Sequence, residues 1–189
     1  MGLSNTSARL RRTASAVTAA GLVVVSSGCG MVGGSAASAE GVQLEPLSVT
    51  SPTLQDGGPL PSDYSCHGSM GNPPLRWSRV PDDAKSVAIV VDNNNSRTGA
   101  EVHWVVLDID PRTNEVAENT VPVDAVEGRT TNGKVGYTPP CRRQENYRFT
   151  VYALKGKVDL DKGAPLSETL RSIADMTIAW GRLTTTNIE

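Results

Sequence analysis

The apolar residues of this chain fall mostly in short β-branched runs or alternate with polar ones. Ser86–Asp92 (SVAIVVD) and Val102–Ile109 (VHWVVLDI) are runs of the first kind and predict strands. Tyr147–Leu154 (YRFTVYAL) alternates and predicts a third. Met176–Leu183 (MTIAWGRL) is a weaker fourth, and Leu44–Val49 is expected to add an opening strand. Turn chemistry separates these segments: Asp56-Gly57-Gly58-Pro59, Asn72-Pro73-Pro74, Asn93-Asn94-Asn95 and Thr138-Pro139-Pro140. One helix is expected, with Pro165 at its start and Leu166, Leu170 and Ile173 on one face. Many strands with little helix predict an all-β-dominated fold, a sandwich or barrel.

The first residues follow another pattern. Arg9, Arg11 and Arg12 precede a short apolar core, Val17–Val25, and then Ser26-Ser27-Gly28-Cys29. That core is too short for an ordinary membrane span, which needs ~20 apolar residues. Residues 1–28 therefore read as a signal peptide. The small residues before Cys29 resemble a lipobox, in which the cysteine is lipidated and becomes the mature N-terminus. Ala37-Ser38-Ala39 offers an alternative, cleavage to a secreted protein. Residues 29–41 read as a tether after the lipidated cysteine, and 42–189 as one folded domain. The expected location is the extracytoplasmic face of the bacterial cell membrane, held by the lipid anchor only.

Composition is that of an ordinary soluble domain, 38% hydrophobic and 20% charged. The net charge is −2, but three of the 18 basic residues lie in the signal peptide. Residues 29–189 carry −5, which leaves no electrostatic footprint for nucleic acid. Of the three cysteines, a lipidated Cys29 leaves Cys66 and Cys141 as an even pair in an oxidising compartment, where a disulfide persists. A metal site of Cys66, His67, Cys141 and His103 lacks C-x-x-C or H-x-x-x-H spacing, so no metal is expected. No cofactor fingerprint is present. A Ser69–His103–Asp92 triad can be written down, but no G-x-S-x-G supports it, and no enzyme activity is expected.

His103 lies in a strand, where alternation puts it on the face of Val105 and Leu107. Asp92 ends the preceding strand and opens an Asn-rich loop. Tyr137 and Tyr147 flank the Pro-Pro-Cys turn. Each has a plain structural reading: a satisfied rim histidine, a turn cap, and core tyrosines with polar tips.

Taken in order, the motifs resemble the phosphatidylethanolamine-binding protein family, in its bacterial Raf-kinase-inhibitor-like branch. Ser51-Pro52 and Asp56–Pro61 are similar to its opening strand and turn. Tyr64-Ser65-Cys66-His67-Gly68 and Asn72–Trp77 resemble its Y-x-C-x-G and S-P-P-L-x-W segments. Val102–Val106 resembles V-H-W-V-V, Gly136–Cys141 resembles G-Y-G-G-P-C, and Phe149–Leu154 resembles the strand after H-R-Y. The resemblance implies a Greek-key β-sandwich with one or two peripheral helices. It also implies a shallow pocket for a small anionic or phosphoryl group. By position Asp92, His103, Pro140 and Tyr147 would line that pocket, with Asp92 orienting the imidazole. Inhibition of another exported protein is the alternative role that the family suggests; the sequence names no partner.

The chain departs from the family at three places. The D-P-D-x-P loop is Asp92–Ser96, the H-R of H-R-Y is Glu145-Asn146, and the usual G-T-Y is Thr185-Thr186-Asn187. Glu145 sets a carboxylate where the family has a positive-capable donor. Two carboxylates beside one imidazole are expected to favour charged His103 and to weaken anion binding. A neutral or amine-bearing ligand is then favoured.

Overall fold

A computed structural model describes residues 46–94 and 99–189. The expected signal peptide, the lipidated Cys29 and the tether lie outside the described residues. Two sheets make up the fold. The smaller holds β1 (Ser48–Thr50), β3 (Leu75–Ser78) and β6 (Glu115–Val116), in the order β1-β3-β6. The larger holds β2 (Pro59–Leu60), β4 (Ser86–Asn93), β5 (Val102–Ile109), β7 (Val126–Glu127), β8 (Tyr147–Leu154) and β9 (Thr177–Ile188). Its order is β2-β9-β8-β4-β5-β7. Within it, β8 returns to lie beside β4 after β5 and β7, which is the Greek-key order. Pairing is antiparallel except between β2 and β9.

Strands β4 and β5 bury both faces, because the larger sheet is covered on both sides there. Val87, Ile89, Val91, Trp104, Phe149 and Val151 face inward onto Leu75, Trp77 and Val116 of the smaller sheet. Ala88, Val90, Val105 and Leu107 face outward, where Ile173 of helix α1 (Leu166–Met176) and Val158 cover them. Burying one such aliphatic side chain contributes about 1.5–3 kcal/mol, so this double layer accounts for continuous β-branched runs in β4 and β5. The helix begins one residue after Pro165, whose φ of −56° suits its first turn.

Two expectations need correction. The fourth strand starts at Thr177, not Met176, and runs on to Ile188 through Thr184-Thr185-Thr186. β-Branched threonines favour the extended backbone. His103 does not share a face with Val105 and Leu107. The β4–β5 register shifts between Val91, opposite Trp104, and Asp92, opposite Val102. A bulge of this kind sets two residues against one and breaks the alternation. The imidazole is thereby turned to the inner side, against the Tyr147 ring.

Candidate functional site

The inner face of the large sheet ends in a polar row. Register sets Asn93 of β4 opposite Tyr147 of β8, and Tyr147 opposite Thr185 of β9. All three are fully buried. The bulge adds His103, whose ring meets that of Tyr147 edge-on, centroids 5.5 Å apart. His103 itself is 8% exposed.

The segment 138–146 closes this row from one side, and almost every group in it is tied down. His103 Nδ1 lies 3.1 Å from the Thr138 carbonyl oxygen, and the Thr138 N–H donates back to the His103 carbonyl at 2.7 Å. The Tyr147 hydroxyl donates to the Arg142 carbonyl at 2.6 Å and accepts from the Arg142 N–H at 3.1 Å. The Cys66 N–H donates to the carbonyl of buried Pro140 at 2.9 Å. Cys66 and Cys141 are disulfide-bonded, with Cα atoms 5.2 Å apart, inside the usual bridging range.

Glu145 also turns inward, with 13% of its side chain exposed. It accepts from the Asn93 amide nitrogen and lies 3.6 Å from Arg142 Nη1. The Asn93 amide oxygen accepts the Glu101 N–H at 2.6 Å. Arg142 reaches the Glu101 carboxylate at 2.8 Å. Arg142 thus bridges the carboxylates of Glu101 and Glu145, both of which act on the imidazole.

Two groups remain open. Among the described residues, His103 Nε2 and Thr185 Oγ1 are buried and have no hydrogen-bond partner. Such an atom forgoes roughly 1–3 kcal/mol unless something binds it. Burial holds the His103 pKa below its ordinary 6.5, although the Thr138 carbonyl and the charges of Glu101, Glu145 and Asp92 push the other way. The expectation of a charged His103 is thus reversed, because desolvation outweighs the neighbouring carboxylates. In the neutral ring, Nδ1–H serves Thr138 and Nε2 carries a lone pair. Burial, with the charges of Glu145 and Glu101, pushes Tyr147 up to about 12, so its hydroxyl stays protonated.

Of the residues expected in the pocket, His103, Tyr147 and Glu145 come together, and Pro140 lies in the segment beside them with its carbonyl held by the Cys66 N–H. Asp92 does not orient the imidazole. It alternates to the outer side, where Arg148 grips it in a fork, Nε to Oδ1 at 2.6 Å and Nη2 to Oδ2 at 2.8 Å. Asn93 holds the inner position instead. Sequence reasoning missed Asn93, Glu101, Arg142 and Thr185. Alternation counted forward from the inward-facing Val91 is the signal that leads to Asn93. Nothing local singled out Arg142, which acts through its backbone on Tyr147 and through its side chain on Glu101, 41 residues away.

The profile described as phosphatidylethanolamine-binding protein matches residues 50–188. The chain belongs to the phosphatidylethanolamine-binding protein family. Among its relatives is "Putative lipoprotein LppC" of Mycobacterium tuberculosis, 33% identical over 192 positions that cover 92% of this chain and 95% of that one. The crystal structure of a protein described as a phosphatidylethanolamine-binding protein homologue from Chlamydia trachomatis superposes with a TM-score of 0.69. It is 31% identical, over 76% of this chain and 98% of that one. Escherichia coli YbcL, described as a new member of the mammalian family, superposes at 0.71 with 25% identity, over 77% and 99%.

Proposed function

We propose that this protein is an extracytoplasmic, lipid-anchored binding domain rather than an enzyme, and that it takes a small hydrogen-bond-donating ligand at His103. The observation that carries this reading is the buried, unpartnered Nε2. Because Nδ1 is committed to the Thr138 carbonyl, a neutral imidazole offers Nε2 as an acceptor. A hydroxyl or an ammonium group satisfies it, and a phosphate dianion does not. The carboxylates of Glu145 and Glu101 oppose an anion further. The Ser69–His103–Asp92 triad is disfavoured, because Asp92 is held by Arg148 and His103 Nδ1 by the Thr138 carbonyl. The anchor is supported by the apolar core before Cys29 and by the name of the mycobacterial relative.

Calorimetric titration of the parent and of Glu145→His with phosphate, ethanolamine and phosphoethanolamine tests the pocket. The parent should bind phosphate weakly or not at all. Glu145→His should gain phosphate binding by more than the ~0–1 kcal/mol of an exposed charge. Tight phosphate binding by the parent would sink the idea. Mass spectrometry of the native membrane fraction should show a diacylated or triacylated Cys29.

A further inference from the structure

Strand β7 is the last strand of the large sheet on the β5 side. Register sets its Glu127 opposite Val106, which faces the inner core. The Glu127 side chain therefore stands on the inner side as well. There Glu127 Oε1 accepts the indole N–H of Trp104 at 3.1 Å. Trp104 is fully buried, so this bond holds the carboxylate in a fixed place. Gly136, at a φ of +95°, passes close by, and a Cβ there would stand 3.3 Å from Oε1. A carboxylate is thus held at the edge of the sheet with 18% of its side chain exposed.

Two cavities meet at this carboxylate. One, of about 370 Å³, holds Lys162 in its wall. Lys162 Nζ stands 4.0 Å from Glu127 Oε2, at the outer limit of an ion pair, with 71% of its side chain exposed. Such a contact contributes little. The other cavity, of about 250 Å³, shares Val121 and Glu127 with the first and adds Asn72, Asn119, Tyr137 and Pro139. Among the described residues, Glu127 is the one charged group in its lining. Tyr137 is fixed in that wall. Its hydroxyl donates to the Tyr64 carbonyl at 2.9 Å, and its ring meets that of Trp104 edge-on, centroids 6.0 Å apart.

We propose that the smaller cavity binds the ammonium group of a small organic amine, with Glu127 Oε2 accepting its N–H and Tyr137 beside it. A partly desolvated carboxylate attracts a cation more strongly than one in open water does, and an aromatic side chain adds to the attraction. An anion is repelled by the same charge, and an apolar ligand leaves that charge unmet. Size selects as well. Drug-sized ligands fill roughly 300–1,000 Å³, so the amine is smaller than these. The cavity contains none of Asn93, His103, Tyr147 and Thr185, so this site stands or falls apart from the reading of His103.

The test is titration of the full chain with methylammonium chloride, followed at the indole N–H NMR signal of Trp104, which bonds Glu127 directly. Trp77→Phe and Trp180→Phe identify the other two indole signals. The Trp104 signal should shift and saturate, and sodium chloride at equal ionic strength should not reproduce the shift. Glu127→Gln keeps an oxygen for the indole but loses the charge, and saturation should disappear. Lys162→Ala removes the competing cation and should tighten binding about two- to fivefold. His103→Gln should leave the titration as it is. A parent and a Lys162→Ala variant that both lack a saturable shift overturn the proposal. So does a shift that survives Glu127→Gln, that sodium reproduces, that His103→Gln abolishes, or that is no tighter in Lys162→Ala.

Discussion

Asp92 and Asn93 end the same strand and serve opposite sides of the sheet. On the outer side, Asp92 meets Arg148 in a two-pronged ion pair that leaves neither group wanting. On the inner side, Asn93 spends both ends of its amide on Glu145 and Glu101 and helps to frame a histidine with one nitrogen left over. The outer pair is closed chemistry and the inner row is open chemistry. The difference comes from one residue of register. Where a strand's side-chain period is two, a shift of one exchanges the faces. A motif that ends in Asp can therefore deliver its neighbour to the inner row.

Four measurements would break or sharpen that contrast. The largest effect is expected from Cys66→Ser with Cys141→Ser. The bridge spans 75 residues and holds the turn beside the inner row. Its removal should cost about 4 kcal/mol in urea denaturation and weaken ligand binding as well. Loss of stability with binding intact would detach the bridge from the site.

Next, Arg148→Ala should cost about 2–3 kcal/mol, because Asp92, with 19% of its side chain exposed, loses its partner. Ligand affinity should stay the same. Asn93→Ala should cost about 1–3 kcal/mol and change affinity. If Arg148→Ala proves the more damaging to binding, the division between the two sides is wrong.

Tyr147→Phe removes a hydroxyl that both donates to and accepts from the Arg142 backbone. About 1 kcal/mol should be lost on thermal unfolding, with the ring contact to His103 retained.

The smallest effect concerns pH. His103 has a folded pKa below its unfolded value of 6.5. Its contribution to stability is therefore fully present above pH 6.5 and is lost as pH falls through the folded pKa. Urea midpoints between about pH 7.5 and 5 should decline more steeply in the parent than in His103→Gln. With two histidines in the chain, one variant also assigns the NMR titration, and a midpoint above 6.5 would overturn the neutral imidazole.

How much of this was legible in the sequence depends on how local the cause was. Strands β4, β5 and β8 and helix α1 were legible because each carries its own hydrophobic pattern. Strands β6 and β7 hold two residues each and have no period to read. The bulge at His103 is set by pairing with β4, so its reversal of faces was invisible along β5 alone. The charge state of His103 was misjudged because neighbouring carboxylates can be guessed from motifs, whereas depth of burial cannot. Arg142 joins Glu101 across 41 residues, a separation at which sequence pattern says nothing.

The bridge between Cys66 and Cys141 also bears on how fast the chain finds this fold. Strand β9 pairs with β2 at the other end of the domain, and the Thr184 N–H reaches Asp56 across 128 residues. Contacts so remote slow folding, because the chain must close a long loop before it gains anything in return. A chain oxidised early has 75 of those residues taken out of the path. It should refold faster than its reduced form, and most of the gain should appear in the pairing of β9 with β2.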